Sequence, residues 1–76
     1  MRDIIHSLSE YELVRVNHYT ERVDYVSRYD NDLRTHVLFV SGSELICNPE
    51  NIFLFVPNKD ENRFHRENVR FIEPVI

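Results

Sequence analysis

The sequence predicts a small, mostly β domain, and three observations lead to that prediction. The chain has 76 residues, enough for one domain with one hydrophobic core. Its apolar residues lie mainly in short runs rich in β-branched and aromatic side chains, which favours strands over helices. Asparagine, aspartate, proline and the single glycine separate these runs, as turns between antiparallel strands require.

The first segment departs from this pattern. Ile4, Ile5 and Leu8 have the spacing of one face of a short helix, and Ser7 and Ser9 then interrupt it. We therefore expect residues 1–9 to form a short N-terminal helix that caps one end of the core.

Alternating or fully apolar runs between residues 12 and 57 predict five antiparallel strands. Val14 and Val16 flank Arg15 in the first strand, and in the second the alternation slips between Tyr25 and Val26, which indicates a β-bulge. The predicted strands are 12–18, 22–29, 35–41, 44–48 and 52–56.

Turn residues mark the strand ends. The stretch "SGS", residues 41–43, contains the only glycine and predicts a tight hairpin, while Pro49 and Pro57 end the fourth and fifth strands. Residues 58–62 are a polar linker, and residues 63–76 an ordered C-terminal extension, because that extension is too apolar for a disordered end. Its large apolar residues are Phe64, Phe71, Ile72, Val75 and Ile76.

The fifth predicted strand has no polar residue from Ile52 to Val56. If Ile52, Leu54 and Val56 face the core, Phe53 and Phe55 face away from it. We expect the extension around residues 69–72 to fold over them; the alternative is that they stay open as a patch for another chain or a second copy. The candidate partner-binding residues are Phe53, Phe55, Phe64, Phe71 and Ile72.

The order of these elements resembles the Src-homology-3-like small β-barrels of the KOW and accessory-subunit types. The resemblance covers residues 12–57, and implies a five-stranded SH3-like antiparallel barrel. It rests on "VRV" at 14–16, "RVDYVSRYDND" at 22–32, "VLFVSGSELICNPENI" at 37–52 and "FLFVP" at 53–57. Arg22 and Asp24 stand where a KOW motif has glycine, which argues against nucleic-acid binding by that route.

Nothing in the sequence indicates catalysis, so we expect no enzyme, no metal and no cofactor. The four histidines are far apart and lack metal-ligand spacing, and no nucleophile, phosphate-binding or zinc motif occurs. The single cysteine, Cys47, is expected to be buried in a reducing compartment. Without a signal peptide or a long apolar run, we expect a cytoplasmic protein that is not in a membrane.

Nucleic-acid binding is the alternative, because arginines and tyrosines alternate in the first half of the chain. A net charge of −4 and the acidic residues among them favour a solvent-facing role for the arginines instead. The nucleic-acid candidates are Arg15, Arg22, Arg28, Arg34, Tyr19, Tyr25 and Tyr29.

The sequence therefore favours a noncatalytic protein-binding module that occupies a partner protein's surface. Small size, acidity and the lack of a catalytic motif suit an accessory subunit or a virus-encoded inhibitor of a host protein. The alternative is a nucleic-acid-associated module of a transcription or translation complex.

Overall fold

A computed structural model describes residues 7–29 and 34–75, with only the backbone of Tyr29. These residues form one antiparallel sheet that curls into a half-barrel, with strand order β6-β5-β4-β3-β2-β1-β7. The strands are β1 (Leu13–Val16), β2 (Tyr19–Tyr29), β3 (Arg34–Phe39), β4 (Glu44–Cys47), β5 (Ile52–Asn58), β6 (Arg63–Asn68) and β7 (Ile72–Val75).

Strands β1 to β5 lie where the sequence predicts strands, and each pairs with the next in antiparallel order. The bounds differ most in three places. The first strand ends at Val16, because residues 17–18 form a turn, and the second begins at Tyr19 rather than residue 22. The fifth runs through Pro57 to Asn58. Proline is tolerated there because β4 begins at Glu44, opposite Phe55, and Pro57 lies beyond this end of β4. A backbone N–H at position 57 would have no partner on β4, so its absence breaks no bond in the sheet.

The β3–β4 hairpin is closed by the turn around the single glycine, as predicted. The Gly42 N–H donates to the Phe39 carbonyl, and the Phe39 N–H donates to the Ser43 carbonyl, each at 2.9 Å. Gly42 has φ +96°, a left-handed conformation that residues with a Cβ rarely adopt. The turn chemistry of this hairpin thus requires the glycine.

The predicted bulge is present, but earlier in β2. The β2–β3 register shifts between Val23 and Tyr25, so that Asp24 is the extra residue. Val23 and Val26 both pack against the core, and Tyr25 points outward with 61% of its surface exposed. The bulge therefore moves Tyr25 to the opposite face from the one that simple alternation with Val23 predicts.

At the N-terminus, the described residues contain one 3₁₀ turn, Leu8–Glu10, in place of an α-helix. Residues 1–6 of the predicted helix lie outside the described residues. Leu8 is fully buried and belongs to the core. No helix within 7–29 or 34–75 is long and apolar enough to cross a membrane.

The C-terminal extension corrects the prediction of five strands, because it adds β6 and β7. Residues 59–62 are a hairpin turn rather than a linker, and β6 continues the meander beside β5. The chain then crosses the open side of the half-barrel, and β7 pairs with β1. The extension thus forms both edges of the sheet instead of folding over the outer side of β5.

The core lies on the inner face of the curled sheet. Its fully buried members come from the 3₁₀ turn and from strands β1, β3, β4 and β5, while Val69 and Ile72 add the contribution of the extension. The fully buried residues are Leu8, Val14, Val16, Val37, Phe39, Leu45 and Leu54. Cys47 is buried beside them, as predicted.

Asn17, in the β1–β2 turn, holds the crossing segment in place. Its N–H donates to the Phe71 carbonyl (2.8 Å), its Nδ2 donates to the Asn68 carbonyl (3.0 Å), and its Oδ1 accepts from the Arg70 N–H (2.8 Å). Its φ of +52° is left-handed, which asparagine tolerates better than most residues. We call these three bonds the Asn17 clamp.

Candidate functional site

The outer side of strands β2 to β6 carries a band of apolar side chains, interrupted by His36 and Glu44. Cross-strand partners lie on the same face of a sheet, and the register aligns Tyr25 with Leu38 and Ile46 with Phe53. Phe55 and Phe64 extend the band across β5 and β6. We call Tyr25, Leu38, Ile46, Phe53, Phe55 and Phe64 the outer aromatic face.

Alternation along β5 creates the central part of this face. Leu54 is fully buried, and Ile52 and Val56 pack against the core, so that Phe53 and Phe55 point outward as the sequence predicts. Both are half-buried by their neighbours in the sheet. The exposed surface grows toward the rim, since Phe64 is 59% exposed and Leu38 is 38% exposed.

A shallow groove opens within the outer aromatic face. It has a volume of about 160 Å³ and is lined by Ile46, Phe55, Phe64 and the stem of Glu44. The Glu44 carboxylate lies 2.7 Å from Nδ1 of His36 on the neighbouring strand. This polar pair fixes one wall of a groove whose other walls are apolar, the combination that orients a partner side chain.

The extension borders the outer aromatic face along β6. The Arg66 guanidinium carbon lies 5.0 Å from the centre of the Phe53 ring, a cation–π contact made from β6. The expectation that the segment around residues 69–72 folds over Phe53 and Phe55 is wrong, because Val69 and Ile72 are buried in the core on the other side of the sheet.

The structure separates the five predicted partner-binding residues. Phe53, Phe55 and Phe64 share the outer aromatic face, whereas Ile72 is 9% exposed in the core and does not contribute to an exposed surface. Phe71 is 41% exposed but lines a different groove, of about 470 Å³, beside the Asn17 clamp. The other lining residues of this second groove are Asn17, His18, Glu67, Asn68 and Arg70.

Tyr19 belongs to the closure of the half-barrel. Its hydroxyl donates to Oε2 of Glu67 at 2.5 Å, and its ring lies 4.4 Å from that of His18. The pKa of Tyr19 is raised above its usual 10.0; the hydrogen bond to Glu67 is the largest cause and desolvation by burial the second. This bond ties β2 to β6 across the open side of the half-barrel.

The nucleic-acid candidates do not form one basic strip. Arg15 lies 3.6 Å from a carboxylate oxygen of Glu73, and Arg22 is hydrogen-bonded to Glu12. Arg28 stands opposite the buried Thr35, on the other face of the sheet from Arg34. Tyr25 lies on the outer aromatic face, and the side chain of Tyr29 is outside the described part of the chain.

Three contributors to the site were not identified from the sequence: Leu38, Ile46 and Arg66. Each sits in a strand whose alternation is ambiguous or interrupted, and only the cross-strand register places it beside a phenylalanine. The fully apolar run from Val37 to Val40 was the available signal for Leu38, because it implies an outward apolar residue.

Within residues 7–29 and 34–75, no three histidine, cysteine, aspartate or glutamate side chains are grouped closely enough to hold a metal ion. Comparison of the chain with protein-family models, with curated proteins and with solved structures finds no match. The function is therefore argued from the geometry of the outer aromatic face.

Proposed function

We propose that this chain is a noncatalytic protein-binding module that docks on its partner through the outer aromatic face. The observation that carries the proposal is the grouping of Phe53, Phe55 and Phe64 on the outer side of β5 and β6, where Phe55 and Phe64 line an open groove. Aromatic residues that are held rigidly and partly exposed are typical interface anchors.

The make-up of the face suits a protein surface better than a nucleic acid. Aromatic and aliphatic side chains dominate it, and the charged residues on the same side of these strands include Arg34, Glu44 and Arg66. Phosphate recognition needs several available cations, and here two of the four candidate arginines, Arg15 and Arg22, are engaged with carboxylates. The net charge of −4 adds repulsion from a polyanion.

We further propose that the chain is an SH3-like small barrel with a regulatory or accessory role. The five central strands and the β3–β4 glycine hairpin are compatible with an SH3-like small barrel to which the extension has added two edge strands. Small size and acidity support a role as an accessory subunit or as a virus-encoded inhibitor of a host protein, and a buried thiol suits the cytoplasm.

The test is affinity capture with the tagged chain from a lysate of the source cell, read out by mass spectrometry. Phe53→Ser combined with Phe55→Ser should abolish capture of the partner. Phe64→Ser should weaken it with little loss of stability, because Phe64 is mostly exposed. Phe71→Ser is the matched control, since it removes an exposed phenylalanine outside the outer aromatic face.

Circular dichroism and thermal melting of each variant separate loss of binding from loss of folding. If the Phe64 variant and the folded double variant both capture the same protein as the unaltered chain, the proposal is wrong. A saturable complex with DNA or RNA at low micromolar protein, weakened steeply by salt, would instead favour the nucleic-acid alternative.

A further inference from the structure

The two edges of the sheet differ in the backbone groups that they present. In an antiparallel pair, residues alternate between bonding to the partner strand and pointing away from it. The Asn17 N–H donates to the Phe71 carbonyl, one residue beyond the Val16–Ile72 pair. The backbone N–H and carbonyl positions of Ile72 and Pro74 therefore point away from β1, toward the free edge. Proline has no N–H, and this edge is therefore poorly suited to accept another strand.

Strand β6 presents backbone groups that can accept another strand. The Val69 N–H donates to the Ile52 carbonyl at 3.0 Å, one step beyond the Phe53–Asn68 pair. Arg63, His65 and Glu67 therefore bond to β5, while the N–H and carbonyl groups of Phe64, Arg66 and Asn68 point away from it. The Asn17 clamp takes the Asn68 carbonyl, which leaves Phe64 and Arg66 without a strand partner among the described residues.

Strand β6 is also locally basic in an acidic chain. Arg63, His65 and Arg66 lie on it with one acidic residue, Glu67. The Glu67 carboxylate accepts a hydrogen bond from the Tyr19 hydroxyl and lies 3.6 Å from Nε2 of His65. Arg63 pairs with Glu61 at 2.7 Å. Arg66 makes no ion pair with any described residue and stacks on Phe53 at the border of the outer aromatic face. An extended segment with acidic side chains is the complementary occupant.

We propose that the free edge of β6 accepts an extended acidic segment of the partner, which adds an eighth strand to the sheet. This inference rests on the proposed function, since it specifies part of the partner that the outer aromatic face binds. Hydrogen bonds to Phe64 and Arg66 supply the pairing, and the guanidinium of Arg66 selects acidic side chains. A second copy is disfavoured, because its β6 brings a second Arg66 cation to this edge while its one acidic residue, Glu67, already contacts Tyr19 and His65.

The probe is a short fluorescein-labelled peptide of alternating glutamate and valine, with a lysine–valine peptide of the same length as control. Amide hydrogen exchange followed by NMR on the full chain is the readout. We expect fast exchange at Phe64 and Arg66 in the free protein and protection of both amides by the glutamate peptide alone. The amides of Arg63 and His65 should be protected with or without peptide.

Two variants at one position separate backbone pairing from charge. Arg66→Ala keeps the edge N–H and should weaken peptide binding through loss of the cation. Arg66→Pro also removes that N–H and should lose about a further tenfold in affinity. The proline variant keeps every β5–β6 bond, because Arg66 points away from β5, and unchanged protection of the His65 amide checks this.

The proposal is overturned if Phe64 and Arg66 stay unprotected at saturating peptide, or if the lysine peptide protects them equally. Protection that rises with protein concentration in the absence of peptide would make a second copy the occupant and also overturn it. The proposed function fails independently, when the Phe53 and Phe55 double variant still captures the partner from lysate.

Discussion

Strands β6 and β7 come from the same short extension and occupy the two edges of one sheet, yet they have different surroundings. Five of the six residues of β6 are exposed, and its apolar residue, Phe64, faces solvent. β7 begins with Ile72, which is buried opposite Val16 in the core. In β7, Pro74 occupies a position whose backbone faces the free edge and has no N–H to donate. In β6, the backbone groups of Phe64 and Arg66 face the free edge and have no strand partner among the described residues.

The difference in burial between β6 and β7 follows from the strand that each one pairs with. β7 crosses the open side of the half-barrel and pairs with β1, whose Val14 and Val16 are fully buried, so that its inward residue joins the core. β6 extends the sheet beyond β5, where its inward His65 has no second layer to pack against and is exposed. One strand therefore contributes to the core, and the other contributes exposed surface.

The largest effect is expected from removing residues 59–76, which deletes both strands. Val69 and Ile72 leave the core, and each buried aliphatic side chain contributes about 1.5–3 kcal/mol. A domain of this size has only about 5 kcal/mol in total, so the truncated chain should be unfolded or aggregated. Circular dichroism and thermal melting measure this, and a cooperative transition near that of the full chain would contradict the role assigned to β7.

Point substitutions divide the extension more finely. Ile72→Ala should lower the free energy of unfolding by about 2–5 kcal/mol, as for buried large-to-small changes. Phe64→Ala removes a larger side chain from β6 but should change the free energy of unfolding by about 0.5 kcal/mol or less, because the ring is mostly exposed. Urea denaturation of both variants gives the two values. Equal losses would show that the two edges do not differ in this way.

The Asn17 clamp connects the end of β6 to the start of β7, and its removal tests whether that link stabilises the fold. Asn17→Gly keeps the left-handed backbone and loses two side-chain hydrogen bonds, an expected loss of about 1 kcal/mol. Asn17→Ala loses the same bonds and adds about 1 kcal/mol for the left-handed conformation. The glycine variant should therefore have a higher urea midpoint than the alanine variant, and the reverse order would contradict this expectation.

The smallest effect concerns alkaline pH. Because the pKa of Tyr19 is raised in the folded state, the folded chain holds this proton more tightly than the unfolded chain. The resulting stability is complete below pH 10 and falls as pH rises through the higher folded pKa. Tyr19→Phe should therefore flatten the decline of the urea midpoint above pH 10. Tyr25→Phe is the control, and an identical decline in both variants would exclude the bond to Glu67 as its cause.

Local pattern was sufficient for the centre of the molecule. The five central strands, the Gly42 hairpin and the outward direction of Phe53 and Phe55 follow from alternation and turn chemistry within a few residues. Such features are encoded in adjacent residues, because side-chain direction has a period of two and a left-handed turn requires glycine. The aromatic centre of the candidate site was therefore predictable before any strand pairing was known.

The sequence by itself determined the five central strands and showed that β5 is apolar on both faces. Tertiary structure alone decided the arrangement of the edges. Phe64 and Ile72 are both apolar residues of the extension, and nothing near them in sequence indicates that one is exposed and the other buried. That outcome depends on β7 pairing with β1, about sixty residues earlier in the chain. Strand pairing at that distance is settled by the closure of the whole sheet, because register and partner are properties of two strands rather than of one.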